Sequence, residues 1–200
     1  MEKGRLTMIF TKDYWSSSAE KLKSVRYLAI MAIFIALKTM MSSLYIPVSE
    51  NLRIGFSFIV TAVEGAVIGP VAGLISGAVT DLVGFMIFPS GPFFFGYTIT
   101  SMLGVFLYAL FLYRQKITIL RLALCKFSVS ALCNVILGSL WSAMLYSKGY
   151  LFYLTNSLIK NAVLLPVEIM ILVLVFNVMI PVLTKSRLIE PQNPLPLKWK

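Results

Sequence analysis

Apolar segments long enough to cross a membrane follow one another along most of the chain, and they constrain its fold more than any other feature. A membrane-spanning helix needs about 20 successive apolar residues. Six such segments can be counted, over about residues 27–45, 54–68, 71–88, 93–113, 122–146 and 158–184, of which the second is short. Hydrophobic residues make up 58% of the chain and charged residues only 13%, which is not the composition of a soluble domain. The sequence therefore predicts an all-α integral membrane protein, a bundle of six transmembrane helices in the cell membrane.

The placement of lysine and arginine predicts the orientation of this bundle. Positive charges concentrate in the leader at residues 1–26, in the loop at residues 114–121 and in the tail at residues 185–200. The loops on the opposite side carry few, chiefly Arg53 and Lys148. Because cytoplasmic loops carry the excess of Lys and Arg, both termini are expected in the cytoplasm. Residues 27–184 form the membrane domain, and residues 6–15 of the leader either lie on the membrane surface or belong to a disordered tail.

Several function classes are excluded by what the chain lacks. It contains no histidine, and its two cysteines, Cys125 and Cys133, lie within one apolar run. Catalytic residues, a metal site, a disulfide framework and a cofactor are therefore not expected. The net charge of +10 is a sign of membrane topology and not of a nucleic-acid partner. No GxxxxGK[ST] loop is present, so the chain cannot hydrolyse ATP itself.

A ladder of glycines leads to an acidic residue in the third apolar segment. Gly65, Gly69, Gly73 and Gly77 recur at every fourth position, and Asp81 occupies the next step. Residues four apart share one face of a helix, and small residues at this spacing let helices approach closely in a membrane. Asp81 should therefore point into the protein. It is either a buried acid held by a neighbouring residue or a carboxylate that binds a ligand.

Polar and aromatic side chains from different segments are predicted to share the outer half of the membrane. Cations, a carboxylate, amides and aromatic rings in one place suit a flat heteroaromatic ligand that carries carboxylates at one end. Lys38 and Asn161 lie at a similar depth, whereas Glu64 and Lys126 are expected in the inner half, with Lys126 reaching to the cytoplasmic interface. The predicted binding residues are Arg53, Asp81, Ser90, Gly91, Phe93, Phe94, Asn134, Trp141 and Lys160.

The first apolar segment carries a stripe of small residues. Ala29, Ala32 and Ala36 lie on one side of the predicted helix, and Lys38 is nearly opposite Ala36 at about 100° per residue. This pattern suits a helix with a pocket on one face and a partner protein on the other. Packing of the alanines within the same bundle is the alternative, and the sequence does not decide between them.

Several of these motifs together resemble a known family. They are the Ala32–Ala36 motif, Leu52-Arg53-Ile54-Gly55-Phe56-Ser57-Phe58, the glycine ladder with Asp81, Pro89-Ser90-Gly91-Pro92-Phe93-Phe94, and Lys160-Asn161 ahead of Pro166-Val167-Glu168. Over about residues 24–184 the chain resembles a substrate-binding S component of an energy-coupling factor (ECF) vitamin transporter, of the folate-binding type. Ser157 stands where that family often has a basic residue, so the folate assignment rests on the second segment and the outer loop.

The resemblance implies a six-helix bundle with a folate pocket near the outer face. It also implies partners: the alanine face would dock on a transmembrane T component, which is coupled to two ATPase subunits. The alternatives are an S component for another vitamin, such as thiamine, riboflavin or biotin, and a self-sufficient carrier or channel. A membrane enzyme is the least favoured alternative, because no activated nucleophile or metal cluster is present.

Overall fold

The chain folds almost entirely into helices. The computed structural model describes residues 11–49, 52–89, 92–146, 149–192 and 196–199. In order, the elements are α1 (Lys12–Glu20), a 3-10 turn (Lys21–Lys23), α2 (Val25–Ser43), β1 (Tyr45–Ser49), β2 (Leu52–Gly55), α3 (Ser57–Ile68), α4 (Pro70–Ile87), α5 (Phe95–Leu112), α6 (Ile119–Val129), a π-helical stretch (Ser130–Leu137), α7 (Gly138–Leu145) and α8 (Tyr150–Lys185). The strands pair as one antiparallel hairpin, where the sequence predicted only a loop.

Five helical stretches within the described ranges are long and apolar enough to cross a membrane. They are Val25–Ser43, Pro70–Ile87, Phe95–Leu112, Ile119–Leu145 and Tyr150–Lys185. The sixth apolar helix, Ser57–Ile68, has 12 residues, a length of about 18 Å at 1.5 Å per residue. The hairpin precedes it and takes up residues that the sequence had assigned partly to this helix.

Helix α5 lies at the centre of the bundle, and the glycine ladder explains how its neighbours reach it. A Cβ atom at Gly65 of α3 would lie 2.8 Å from the backbone nitrogen of Ala109. At Gly77 of α4 it would lie 2.7 Å from the Cα atom of Met102. Ser101 donates a hydrogen bond to the carbonyl oxygen of Gly77 over 2.8 Å. The predicted close approach is therefore present, and both α3 and α4 make it with α5.

The described part of the leader, from residue 11 onwards, is neither a disordered tail nor a helix that lies free on the membrane surface. Tyr14 and Ser18 of α1 are buried. Ser18 donates to the carbonyl oxygen of Ile68 over 3.0 Å and accepts from the backbone N–H groups of Val71 and Ala72. Its hydroxyl therefore caps both helices at the turn where Gly69 adopts a φ of 82°. Residues 1–10 lie outside the described part of the chain.

The C-terminal tail returns to the same end of the molecule. Gln192 accepts a hydrogen bond from the backbone N–H of Ile117 and donates one to the carbonyl oxygen of Gln115. Tyr14 donates to the carbonyl oxygen of Ala109, near the end of α5. The leader, the α3–α4 turn, the loop between α5 and α6 and the tail therefore meet at one end, which we call the terminal end. The hairpin lies at the other.

Helix α8 is longer than the sequence predicted. It begins at Tyr150 and not near residue 158, and it contains Pro166 and Pro181. Polar residues in its first turns, such as Thr155 and Asn156, lowered the local hydropathy on which the prediction depended. Both residues are exposed at the start of the helix, so their polar side chains need no partner inside the bundle.

Candidate functional site

A cavity of about 1080 Å³ opens at the hairpin end of the bundle. Residues of α2, α3, α4, α5 and the continuous helix 119–145 contribute to its wall. Four of the predicted binding residues line it: Asp81, Phe93, Phe94 and Asn134. Lys38 lines it as well. The structure therefore brings together a carboxylate, aromatic rings, an amide and a cation from separate segments, as the sequence predicted.

Asp81 lies in the cavity wall and faces the protein interior. It is partly buried, and the hydroxyl of Thr98 on α5 donates to its Oδ2 atom over 2.6 Å. Thr98 itself is 2% exposed, so this hydrogen bond is held in a fixed position. An ionised carboxylate offers about four acceptor positions. One hydrogen bond from Thr98 therefore leaves capacity for N–H donors of a bound ligand.

The aromatic side chains of the wall form two groups of contacting rings. The ring centroids of Phe85 and Phe93 are 5.2 Å apart, and those of Phe94 and Tyr97 are 6.1 Å apart. Trp141 packs on Phe94 at 5.6 Å and donates its indole N–H to the hydroxyl of Thr100 over 2.9 Å. Trp141 contacts Phe94 but is not among the residues that line the cavity.

Two ion pairs, each with a buried lysine, lie beside the cavity. The Nζ atom of Lys38 is 2.5 Å from Oε2 of Glu64, and Ser76 donates a hydrogen bond to Oε1 of the same carboxylate. The Nζ atom of Lys126 is 3.1 Å from Oε2 of Glu168. A buried charge in an apolar environment needs such a partner. Both lysines line the cavity, so each presents part of its side chain to the space.

These pairs correct two expectations about depth. Lys126 does not reach the interface, since its side chain is 2% exposed and its Nζ atom lies 4.2 Å from the ring centroid of Phe58. Glu64 lies at the depth of Lys38 and not in a separate inner layer. Counting residues along straight helices gave the wrong depth for Glu64, because α3 has only 12 residues and its last turn is buried beneath α1.

The amide residues join α8 to the preceding helix. Asn134 donates to Oδ1 of Asn161 over 3.0 Å, and Ser157 donates to the carbonyl oxygen of Asn134. Lys160 is partly buried next to this contact but does not line the cavity. Its contact with a ligand stays a prediction.

Three predicted residues fall where no side chain is described. Ser90 and Gly91 lie outside the described residues. Arg53 belongs to strand β2, but its side chain is outside the described part of the structure. The backbone register places it opposite Pro47, in the hairpin.

The cavity also contains residues that the sequence analysis missed. Tyr108 of α5 lines the cavity, and Thr98 of the same helix donates to Asp81 in its wall. Both side chains are almost fully buried. Lys126 was noticed but assigned to the interface. A charged residue in an apolar helix is expected to pair with an opposite charge on another helix, because an unpaired ion is unstable in the membrane. A search of the sequence for such pairs would have indicated the contact between Lys126 and Glu168. Among the described residues, no three His, Cys, Asp or Glu side chains converge to hold a metal ion.

The alanine stripe lies on the outside of the bundle. Ala29, Ala32 and Ala36 are exposed, and so is Ile33 between them, which is 60% exposed. Lys38, on the opposite face of α2, is 4% exposed. The alanines are therefore not packed within the bundle, which removes the alternative that the sequence had left open.

Comparison with known proteins gives matches over most of the chain. Residues 26–183 match the family model described as ECF transporter, substrate-specific component. The protein named Folate transporter FolT of Clostridium novyi (strain NT) is 30% identical over 151 residues, which cover 76% of this chain and 88% of that protein. The protein of the same name from Leuconostoc mesenteroides is 26% identical over 150 residues, covering 72% and 80%.

A solved structure has the same fold. The crystal structure described as FolT bound with folic acid superposes with a TM-score of 0.69 at 28% sequence identity. The match covers 74% of this chain and 91% of the other. The matched core is thus nearly the whole of that protein, whereas parts of this chain extend beyond it.

Proposed function

The chain belongs to the family of ECF transporter substrate-specific components, and we propose that it binds folate in the cavity at the hairpin end. The observation that carries the proposal is the position of Asp81 beside Phe93 and Phe94 in a space of about 1080 Å³. The relatives named for folate transport and the structure of a relative with folic acid support the same ligand.

Folate joins a flat heteroaromatic ring system to a tail with two carboxylates. We infer that the ring stacks among the aromatic side chains around Phe94 while its N–H groups donate to Asp81. The acidic tail requires cations, and Arg53 of the hairpin is the candidate that the sequence offers. Ser90 and Gly91 follow the end of α4 and complete the set of predicted contacts. Asn134 contributes from the wall that the continuous helix 119–145 forms, and Lys160 of α8 would contribute if α8 moves closer to the ligand.

We propose that the chain crosses the membrane six times, with both termini in the cytoplasm. The leader and the tail contact the same loop at the terminal end, and this supports an even number of crossings. Helix α2 starts at that end and α4 starts there again, so the hairpin and the short helix α3 together make the return crossing. The positive charges at this end support its cytoplasmic assignment.

Uptake would then depend on other subunits. The chain has no phosphate-binding loop for ATP. We propose that the exposed alanine stripe on α2 docks on a transmembrane T component coupled to two ATPase subunits. Small residues let a partner helix approach closely, so the stripe suits a helical partner in the membrane.

The ligand can be tested by isothermal titration of the purified protein in detergent with folate, thiamine, riboflavin and biotin. We expect folate alone to bind, at one molecule per chain. Heat from another vitamin but none from folate would assign the chain to that vitamin. Uptake into liposomes that hold only this chain would favour a self-sufficient carrier.

The site can be tested by Asp81→Asn. The variant keeps the size of the side chain but loses the charge that strengthens hydrogen bonds from the ligand, so the Kd for folate should rise roughly 10- to 100-fold. Asp13→Asn is the matched control, because Asp13 is exposed on α1 at the terminal end. Unchanged affinity in Asp81→Asn would place the ring of the ligand elsewhere.

A further inference from the structure

A second cavity, of about 830 Å³, lies at the terminal end of the molecule. Its walls come from three places: the segment around Lys21, the loop that follows α5, and the segment after α8 that includes Gln192. The first and third lie largely outside residues 26–183, the part of the chain that matches the family. The cavity is therefore built in large part by the chain's own terminal segments.

The cavity is lined by more cations than acids. Lys21, Arg114, Lys116 and Arg187 line it, together with Glu20 and Glu190. Lys21 lies under two rings, with its Nζ atom 4.3 Å from the centroid of Tyr113 and 4.8 Å from that of Tyr27. Arg114 donates to the hydroxyl of Ser17 over 3.2 Å. The excess of positive charge predicts an anionic ligand.

Two of these cations sit on unusual backbone. Among the described residues, Arg114 at a φ of 52° and Arg187 at 55° are the non-glycine residues with positive φ. Each follows the end of a helix, α5 or α8, where glycine is the usual residue because it has no Cβ atom. Arginine is disfavoured in this conformation. That both exceptions are arginines and both line one cavity indicates a role for their guanidinium groups.

A buried hydrogen-bond donor in the same wall has no partner. Gln115 is 5% exposed, and its Oε1 atom accepts a hydrogen bond from Arg121 over 2.7 Å. Its Nε2 atom has no hydrogen-bond partner among the described residues. An unsatisfied buried donor is costly, and an acceptor oxygen in the cavity would satisfy it.

The electrostatic environment of Lys21 also favours an anionic ligand. Burial, and the positive charge of Arg114 nearby, lower the pKa of Lys21 to about 7. An anion between the two cations would offset their repulsion and favour the charged lysine.

We propose that this cavity binds a phosphate group, held by Lys21, Arg114 and Arg187 with a hydrogen bond from Gln115. The group is either the headgroup of an anionic phospholipid or free inorganic phosphate. Tyrosines such as Tyr27 and Tyr113 are typical of the membrane–water interface. Val25, at the start of α2 beside the cavity, is 81% exposed. Both features place the cavity where lipid headgroups lie.

The test is thermal unfolding of the full chain in detergent. One series adds inorganic phosphate and compares it with chloride at equal ionic strength. The other adds phosphatidylglycerol and compares it with phosphatidylcholine. A ligand at about 100 times its Kd should raise the Tm by about 5 °C. A rise with phosphatidylglycerol alone assigns the lipid headgroup, and a rise with inorganic phosphate as well assigns the phosphate group itself.

The variant for this test is Arg114→Gly/Arg187→Gly. Glycine accepts the left-handed backbone, so the fold should persist while both guanidinium groups are lost. The matched control is Lys23→Gln/Lys185→Gln, which removes two exposed cations near the same end that do not line the cavity. The rise in Tm should disappear in the first variant and remain in the second.

Two results would overturn the proposal: no rise with either probe, or an equal rise in both double variants, which would indicate general charge attraction. If the glycine variant does not fold, Arg114→Gln/Arg187→Gln replaces it with the same expectations. Folate titration of each variant separates this site from the first cavity, since the affinity for folate should not change.

Discussion

At the scale of single residues, the ion pair of Lys126 and Glu168 is expected to stabilise the fold only as a pair. Lys126 is 2% exposed, so Lys126→Met leaves the carboxylate of Glu168 in an apolar environment without its counter-ion. Breaking a buried pair costs about 3–5 kcal/mol, which corresponds to a fall in Tm of about 10 °C for a chain of this size. Lys126→Met/Glu168→Leu should recover most of the loss. Thermal unfolding without ligand measures both, and a double variant as unstable as the single one would contradict the prediction.

Lys21 should make stability depend on pH. Its folded pKa of about 7 is below the ordinary value of 10.5, so the unfolded chain binds more protons between these values. The free energy of unfolding should therefore rise as the pH increases from 7 towards 10.5. Below pH 7 Lys21 is protonated in both the folded and the unfolded chain, so it adds no pH dependence there. The charged and titratable groups that line this cavity together with Lys21 are Glu20, Tyr27, Tyr113, Arg114, Lys116, Arg187 and Glu190.

The measurement is the Tm in detergent between pH 6 and pH 9, where tyrosines do not ionise in the unfolded chain. Lys21→Gln should remove the rise, whereas Lys12→Gln, at an exposed position of α1, should keep it. An identical pH profile for the wild-type protein and Lys21→Gln would show that another group is responsible.

At the scale of helices, the contact between α4 and α5 depends on the absence of a side chain. A Cβ atom at Gly77 would lie 2.7 Å from the Cα atom of Met102 and 2.8 Å from the carbonyl oxygen of Ser101, so Gly77→Ala must separate the two helices. We expect a loss of about 1–3 kcal/mol, seen as a lower Tm. Gly84→Ala is the control on the same helix, because nothing lies within 4 Å of its added Cβ atom. It should be neutral or slightly stabilising, and equal effects of the two substitutions would argue against close packing at Gly77.

The same glycines show what the sequence could predict about these elements. Hydropathy and spacing located the apolar helices and the close approach, because both are local patterns in a membrane protein. The hairpin before α3 and the early start of α8 at Tyr150 were missed, since neither has an apolar signal of its own. The pairing of Lys38 with Glu64 depends on how α2 packs on α3. The spacing of residues along the sequence could not predict this pairing. It did predict that Asp81, Phe93 and Phe94 lie around one cavity.

At the scale of the whole molecule, the two ends differ in chemistry. The hairpin end holds a cavity with aromatic rings and Asp81, where we propose that folate binds. The terminal end is closed by α1 and by the segment around Gln192, both mostly outside the family match. Contacts from Ser18 and Tyr14 fix α1 to the bundle, so this helix is part of the folded structure.

The exposed face of α2 gives the last prediction, which separates binding from transport. Ala32 is exposed, whereas Lys38 on the opposite face lines the cavity. Ala32→Trp should therefore leave the affinity for folate unchanged while it prevents close approach of a partner helix. Folate uptake by cells that hold the complete transporter should fall at least 10-fold, although isothermal titration of the purified variant still shows one site.

The matched control for Ala32→Trp is Ala162→Trp, which places the same bulk at an exposed alanine of α8. It should leave uptake close to that of the wild-type protein, because α8 is not the proposed docking helix. Normal uptake in Ala32→Trp would show that the partner docks elsewhere. A weaker affinity for folate in that variant would show instead that the outer face of α2 is coupled to the cavity, since the two faces of one helix are only about 10 Å apart.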